Sequence, residues 1–198
     1  MSTSSGIKST ADRIERLLPK RVKPSRLRHI HGVVTTADEL ARRFHVDRDR
    51  VRLAALAHDM DRDVDGDELL RYCVDREVHL SEYERSMPKM LHGPAASRRL
   101  TDDFGVSDGA VIQAVRHHTL GTEALGEIGL VLFAADYLEP GRSVPDMDER
   151  RRILSGDSLG EIVCRVIESA LRRYGRLAEP TRRLYARLTK ELGREPTV

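Results

Sequence analysis

The run Leu53-Ala54-Ala55-Leu56-Ala57-His58-Asp59 decides how this chain is read. Its apolar residues belong to a core helix, yet the helix finishes in an imidazole next to a carboxylate. Ionisable groups at a buried helix end need a compensating charge, and a bound metal is a natural source of it. The competing reading makes His58 an ordinary helix C-terminal residue and Asp59 the start of a solvated turn, continued by the acidic Asp61, Asp63, Asp65 and Asp67. Taken alone, the pair favours this plain reading, because a His–Asp dipeptide is common.

Outward from this run, apolar residues recur at helical spacing and alternating β-branched stretches are lacking, so the fold class expected is all-α. Helices are predicted over Ala11 to Leu18; from a Ser25 cap to about Phe44, with Val33, Ala37, Leu40 and Ala41 inside; and from an Asp47 cap through Val51, Ala54, Ala55 and His58. A short helix opens at Asp65 or Asp67 and ends near Asp75, and Ser81 with Glu84 has capping-box spacing. Pro94 fits the first turn of a helix to Phe104, closed by Gly105. Ser107 starts another through His117 and His118 to Gly121. Ala124 to Leu138 is the most apolar helix, broken by Glu139-Pro140-Gly141. Helices near Asp148 to Leu154, Leu159 to Tyr174 and Thr181 to Leu192 follow.

The length of 198 residues suits one hydrophobic centre. The organisation expected is an N-terminal extension with a short helix over 1–20, a main domain over 21–158, and C-terminal helices over 159–198 that pack on it or support self-association. A net charge of +2 with 33% charged residues implies no strong nucleic-acid field. Cys73 and Cys164 form no CxxC pair and are expected to be core thiols. Met1 to Thr10 lacks an apolar leader segment, and no apolar run approaches the ~20 residues of a membrane span. A soluble, cytoplasmic protein is expected, with no membrane or nucleic-acid partner.

Further groups sit where helices can bring them to His58 and Asp59: His29 in the first turn of its helix, His92 just before Pro94, His118 closing a helix, and Asp136 within the most apolar one. Asp136 carries the sharpest argument, because a carboxylate after Phe133-Ala134-Ala135 would cost several kcal/mol if buried without a partner. Each has a plain alternative: polar residues near helix starts for His29 and His92, a macrodipole contact for His118, an arginine partner for Asp136. Together, imidazoles and carboxylates suit Fe, Mn or Zn. Asp59 could bridge two ions ~3.5–4 Å apart, with His29, His58 and Asp136 around one and His92 and His118 at the other. His31, His45 and His79 have no partner pattern. Asp61 and Asp63 are expected at the surface, or orienting a ligand histidine.

The order H…HD…H…H…D resembles the metal signature of the HD-domain phosphohydrolase superfamily. More narrowly the chain, from about Arg26 to Asp157, is similar to the YqeK-type symmetrical bis(5′-nucleosyl)-tetraphosphatases. The resemblance rests on Arg26-Leu27-Arg28-His29, Thr36-Ala37-Asp38-Glu39-Leu40-Ala41, Ala57-His58-Asp59, His92-Gly93-Pro94, Ile112 to Thr119, and Ala135-Asp136-Tyr137-Leu138-Glu139-Pro140-Gly141-Arg142. It implies an HD-domain helical bundle, a dinuclear metal centre of iron, with manganese as the alternative, and cleavage of diadenosine tetraphosphate to two ADP. The chain departs from the family where Arg62 replaces the lysine of HDxxK and where His117 stands in place of a tyrosine. The family alignment selects His118 as the ligand, with His117 turned about 100° away on a helix.

On this reading a metal-bridging hydroxide attacks phosphorus, Asp59 and Arg62 are catalytic, and Arg26, Arg62 and Arg142 contact the dinucleoside polyphosphate. Competing readings are an HD phosphohydrolase of other specificity, such as a nucleotidase or (p)ppGpp hydrolase, and a nonenzymatic HD-like signalling module. With no Trp and 4% aromatic residues, no stacking platform for a nucleobase is apparent, and a homodimer is one open possibility.

Overall fold

Helices account for all the regular structure among the described residues, 4–143 and 145–195, of the computed structural model. They are α1 Ser4–Arg21, α2 Pro24–Arg43, α3 Arg48–Ala57, α4 Gly66–Asp75, α5 Glu82–Ser86, a 3-10 turn Pro88–Met90, α6 His92–Asp102, α7 Gly109–His117, α8 Glu127–Leu138, α9 Met147–Leu154, α10 Leu159–Tyr174 and α11 Glu179–Glu191. The all-α expectation holds. Residues 1–3 of the expected N-terminal extension and 196–198 of the expected C-terminal segment lie outside the described residues.

The centre of the bundle is α3. Val51 and Leu53 to Ala57 are all buried, leaving no solvated face in its second half, as expected for a helix apolar all round. It packs against α1, α2, α6, α7 and α8. The alanines keep it slim, so neighbouring helices approach closely. The other thoroughly apolar helix, α8, buries Ile128 to Leu132, Ala134, Ala135 and Leu138 and contacts α2, α3, α7 and α10. A smaller apolar cluster of Leu69, Cys73, Leu80, Leu91 and Ala95 supports the segment leading into α6.

Several ends differ from the sequence reading. The first helix begins at Ser4, well before Ala11, because Ile7, Ala11, Ile14 and Leu18 form one buried stripe despite the Ser/Thr-rich start. Pro24, not Ser25, opens α2; its fixed φ suits the first helical position, where no N–H partner is needed. This puts His29 in the second turn. Helix α6 starts earlier, at His92, and stops at Asp102, short of Phe104. Asp108 rather than Ser107 caps α7, accepting from Ala110 and Val111 N–H groups. Helix α8 starts at Glu127 behind Gly126, α9 at Met147 behind an Asp146 cap, and α11 at Glu179 with Pro180 in its first turn. Asp47, Asp65 and the Ser81–Glu84 capping box act as read from sequence.

Both cysteines are buried and free, and burial pushes each thiol up to about 11. Asp61 is not a surface residue. It is fully buried, paired with Arg21 and held by Arg99 Nε at 2.9 and 3.1 Å. That ion pair pins the turn after the His58–Asp59 pair to α1 and α6. Asp63 accepts from the Lys23 N–H at 2.8 Å. No helix among the described residues is long and apolar enough to cross a membrane.

Two substitutions separate packing from capping. Leu132→Ala, at a fully buried site of α8, should lower unfolding free energy by about 2–5 kcal/mol. Asp47→Ala, which strips the contacts to Asp49 and Arg50 N–H groups, should cost only about 1 kcal/mol. Urea denaturation followed by circular dichroism measures both.

Candidate metal centre and active-site cleft

Each imidazole of the cluster is held by its outer nitrogen. His58 Nδ1 donates to the Ala55 carbonyl at 2.7 Å, His92 Nδ1 to Lys89 at 2.8 Å and His118 Nδ1 to Val115 at 2.8 Å, in each case a carbonyl three residues earlier. His29 Nδ1 donates to Glu139 Oε1 at 3.1 Å. With Nδ1 as donor, the neutral ring presents a lone pair at Nε2, and these Nε2 atoms converge.

Asp59 lies between them. Its Oδ1 is 3.3 Å from His92 Nε2 and 3.7 Å from His118 Nε2; its Oδ2 is 3.6 Å from His29 Nε2 and 3.7 Å from His58 Nε2. Asp136 Oδ1 closes the second group, 3.0 Å from His29 Nε2 and 4.0 Å from His58 Nε2. The structure thus brings together His29, His58, Asp59, His92, His118 and Asp136. One carboxylate divides the imidazoles into two pairs.

The donor set fits a metal. The Nε2 atoms of His29 and His58 are buried without a hydrogen-bond partner, and those of His92 and His118 face each other at 3.1 Å, lone pair against lone pair unless a cation or proton intervenes. His29, His58 and Asp136, and again His58, Asp59 and His118, have ligand atoms within 4.8 Å of one another. The protonation states also suit binding, which requires neutral imidazole and ionised carboxylate. Burial lowers His58 to about 4; burial with the adjacent His118 lowers His92 to about 3. Burial opposes ionisation of Asp59, but the facing histidines hold it well below the usual carboxylate range; Asp136 is held low against burial by His29 and Arg142. His29 is the exception: burial pulls it down, but Asp136, Glu139 and Asp59 raise it overall.

A cleft of about 860 Å³ opens over this cluster. Arg26, Arg62 and Arg142 stand on its walls. Arg26 Nη1 reaches Asp59 Oδ2 at 2.6 Å while its Nε is buried without a partner; Arg142 Nη2 reaches Asp136 Oδ1 at 2.5 Å; Arg62 Nη1 donates to the Lys89 carbonyl at 2.6 Å, beside His92. The opposite wall comes from α10 and the segment into α11, including Val166, Tyr174 and Leu177. Tyr83, Phe133, Tyr137 and Tyr174 all line the cleft, so aromatic rings scattered along the chain gather where none was apparent in sequence. His117 faces a neighbouring pocket.

Glu139 is the residue to which the sequence reading gave no role, although it stands both in the helix-breaking triplet and in the Ala135–Arg142 segment that carries the resemblance. It is buried, with Oε1 on His29 and Oε2 accepting from the Gly141 N–H at 2.6 Å. Gly32 leaves room for it: a Cβ there would lie 2.5 Å from Glu139 Oε2. The signals available were its place three residues after Asp136 and its presence in that segment.

With this geometry in view, the family follows. The HD domain family model matches residues 26–141, and the chain belongs to that family. Within it, the chain is 33% identical to the symmetrical bis(5′-nucleosyl)-tetraphosphatase of Bacillus subtilis over 66% of this chain and 70% of that one. It is 30% identical to the Staphylococcus aureus protein of the same name over 71% and 72%. In structure it is similar to a predicted HD superfamily hydrolase involved in NAD metabolism from Clostridium acetobutylicum, with a TM-score of 0.81 at 26% identity over 91% of this chain and 97% of that one.

If Glu139 fixes the His29 ring, Glu139→Ala should weaken metal affinity about 10–100-fold with the helical circular dichroism signal kept. Chelator competition with elemental analysis reads this. Unchanged affinity would remove Glu139 from the site.

Proposed function

We propose that the protein is a metal-dependent, symmetrical bis(5′-nucleosyl)-tetraphosphatase that hydrolyses diadenosine tetraphosphate to two ADP. The observation that carries this reading is the division of inward-facing imidazoles into two pairs by the oxygens of Asp59, beneath a cleft walled by guanidinium groups. The names of the curated relatives supply the substrate.

His29, His58, Asp136 and Asp59 Oδ2 would hold one cation, and His92, His118 and Asp59 Oδ1 a second. The mixed nitrogen and oxygen set suits iron, with manganese as the alternative. When bound, such a pair supplies Lewis acidity and an acidified water near neutral pH. The remaining work belongs to side chains. Arg26, Arg62 and Arg142 bind non-bridging phosphate oxygens as planar forks. Water oxygen forms a bond to one inner phosphorus, the central P–O–P anhydride breaks, and the electron pair leaves on the second ADP. The guanidinium groups offset the charge growing there.

His58→Ala or Asp59→Ala is expected to abolish hydrolysis and lower metal content while most helical signal persists. Arg62→Ala should keep its metal and lose about a hundredfold in kcat/KM. Anaerobic purification with elemental analysis, then chromatography of the products, tests the reading. Two ADP is the expected outcome; AMP with ATP, or near-normal turnover by either metal-ligand variant, contradicts it.

A further inference from the structure

A molecule cut at its centre has two equal arms, and the cleft over the cluster has an adjoining neighbour. Beside the main cleft lies a second pocket of about 480 Å³. The two share Tyr83, Met90, Thr119, Leu120 and Glu179. Thr119 marks where they meet: its Oγ1 is 3.2 Å from His92 Nε2 and 3.1 Å from His118 Nε2. The junction therefore sits at the candidate metal centre.

The chemistry of the second pocket differs from that of the cleft. Its guanidinium groups are paired with carboxylates outside the candidate ligand set, Arg116 with Glu84 at 2.7 and 3.2 Å and Arg183 with Glu179 at 3.0 Å, whereas in the cleft Arg26 and Arg142 are paired with the candidate ligands Asp59 and Asp136 themselves and Arg62 donates to the Lys89 carbonyl. Beyond these pairs and the exposed Glu123, the lining includes Met90, Leu120, Pro180, Ser81, Thr122 and the His117 ring. Tyr83, 44% exposed, stands between the two spaces. Cations facing the cluster suit phosphates; this lining suits an uncharged nucleoside.

We propose that the second pocket is the subsite for one nucleoside of the dinucleotide, with the phosphate chain crossing Thr119 and the other nucleoside lying in the main cleft against α10. This rests on the reading of the protein as a dinucleoside tetraphosphatase. It gives the chain two nucleoside sites flanking one cutting position, which is what central cleavage requires.

Thr122→Trp and Thr122→Phe fill the second pocket at a position that does not line the main cleft. Two substrates separate the arms: diadenosine tetraphosphate, which needs both pockets, and adenosine 5′-tetraphosphate, which can place its single nucleoside in the main cleft. The ratio of their kcat/KM values should fall about tenfold in each variant. Calorimetric Kd for the analogue with a methylene bridge at the central position should rise by a similar factor. Equal losses on both substrates, or no loss, would overturn the second subsite. Wild-type protein that leaves diadenosine tetraphosphate intact while hydrolysing another phosphate ester would instead overturn the functional reading beneath it.

Discussion

Everything at the centre of this protein depends on the electrostatic demand made by Asp59. A carboxylate at 4% exposure with imidazole lone pairs around both of its oxygens is an arrangement that lacks positive charge. The cost of burying such groups uncompensated is several kcal/mol per ion. Arg26 and Arg142 meet part of the demand from the rim; the inward Nε2 atoms, which no guanidinium contacts, call for cations.

The bundle meets this demand with economical means. Three of the histidines occupy helix ends, His58 after α3, His92 at the start of α6 and His118 after α7. Their Nδ1 atoms bond carbonyls of the same local turn, so ring orientation is set as each helix end forms. His29 lies inside a helix and has no such carbonyl. It borrows Glu139 from the segment after α8, which requires α2 and α8 to pack first. The buried Asp61, tied to Arg21 and Arg99, fixes the turn that carries the His58–Asp59 pair between them.

What could be read in the sequence was what short stretches determine. The α3 run ending in His58–Asp59, the isolated Asp136 in an apolar helix, the Asp47 and Asp65 caps and the Ser81–Glu84 box all act within a turn or two of chain. Features made by distant approach were hidden. Glu139 gains its role only because Gly32 lets it lie close to α2. The aromatic lining of the cleft unites Tyr83 and Tyr174 with Phe133 and Tyr137 of α8, from three separate places. Asp61 resembled its solvated neighbours until two arginines from other helices reached it. The start of α1 was obscured by composition, since Ser and Thr outnumber the stripe of Ile7, Ala11, Ile14 and Leu18 that holds it down.

The last helix is fastened where it matters. Thr181 Oγ1 bonds the Leu120 carbonyl at 2.7 Å, two residues past His118. Gly121, at φ +69°, has no space for a side chain against Leu184, whose Cδ2 would be 2.7 Å from a Cβ. The family match ends at residue 141, before α9, α10 and α11 begin. The candidate metal ligands and the α10–α11 wall of the cleft therefore lie in successive stretches of the chain. A substitution in the later stretch can reshape the cleft's wall without touching any candidate ligand, so the contour of the opening and the composition of the cluster are separable properties of this chain.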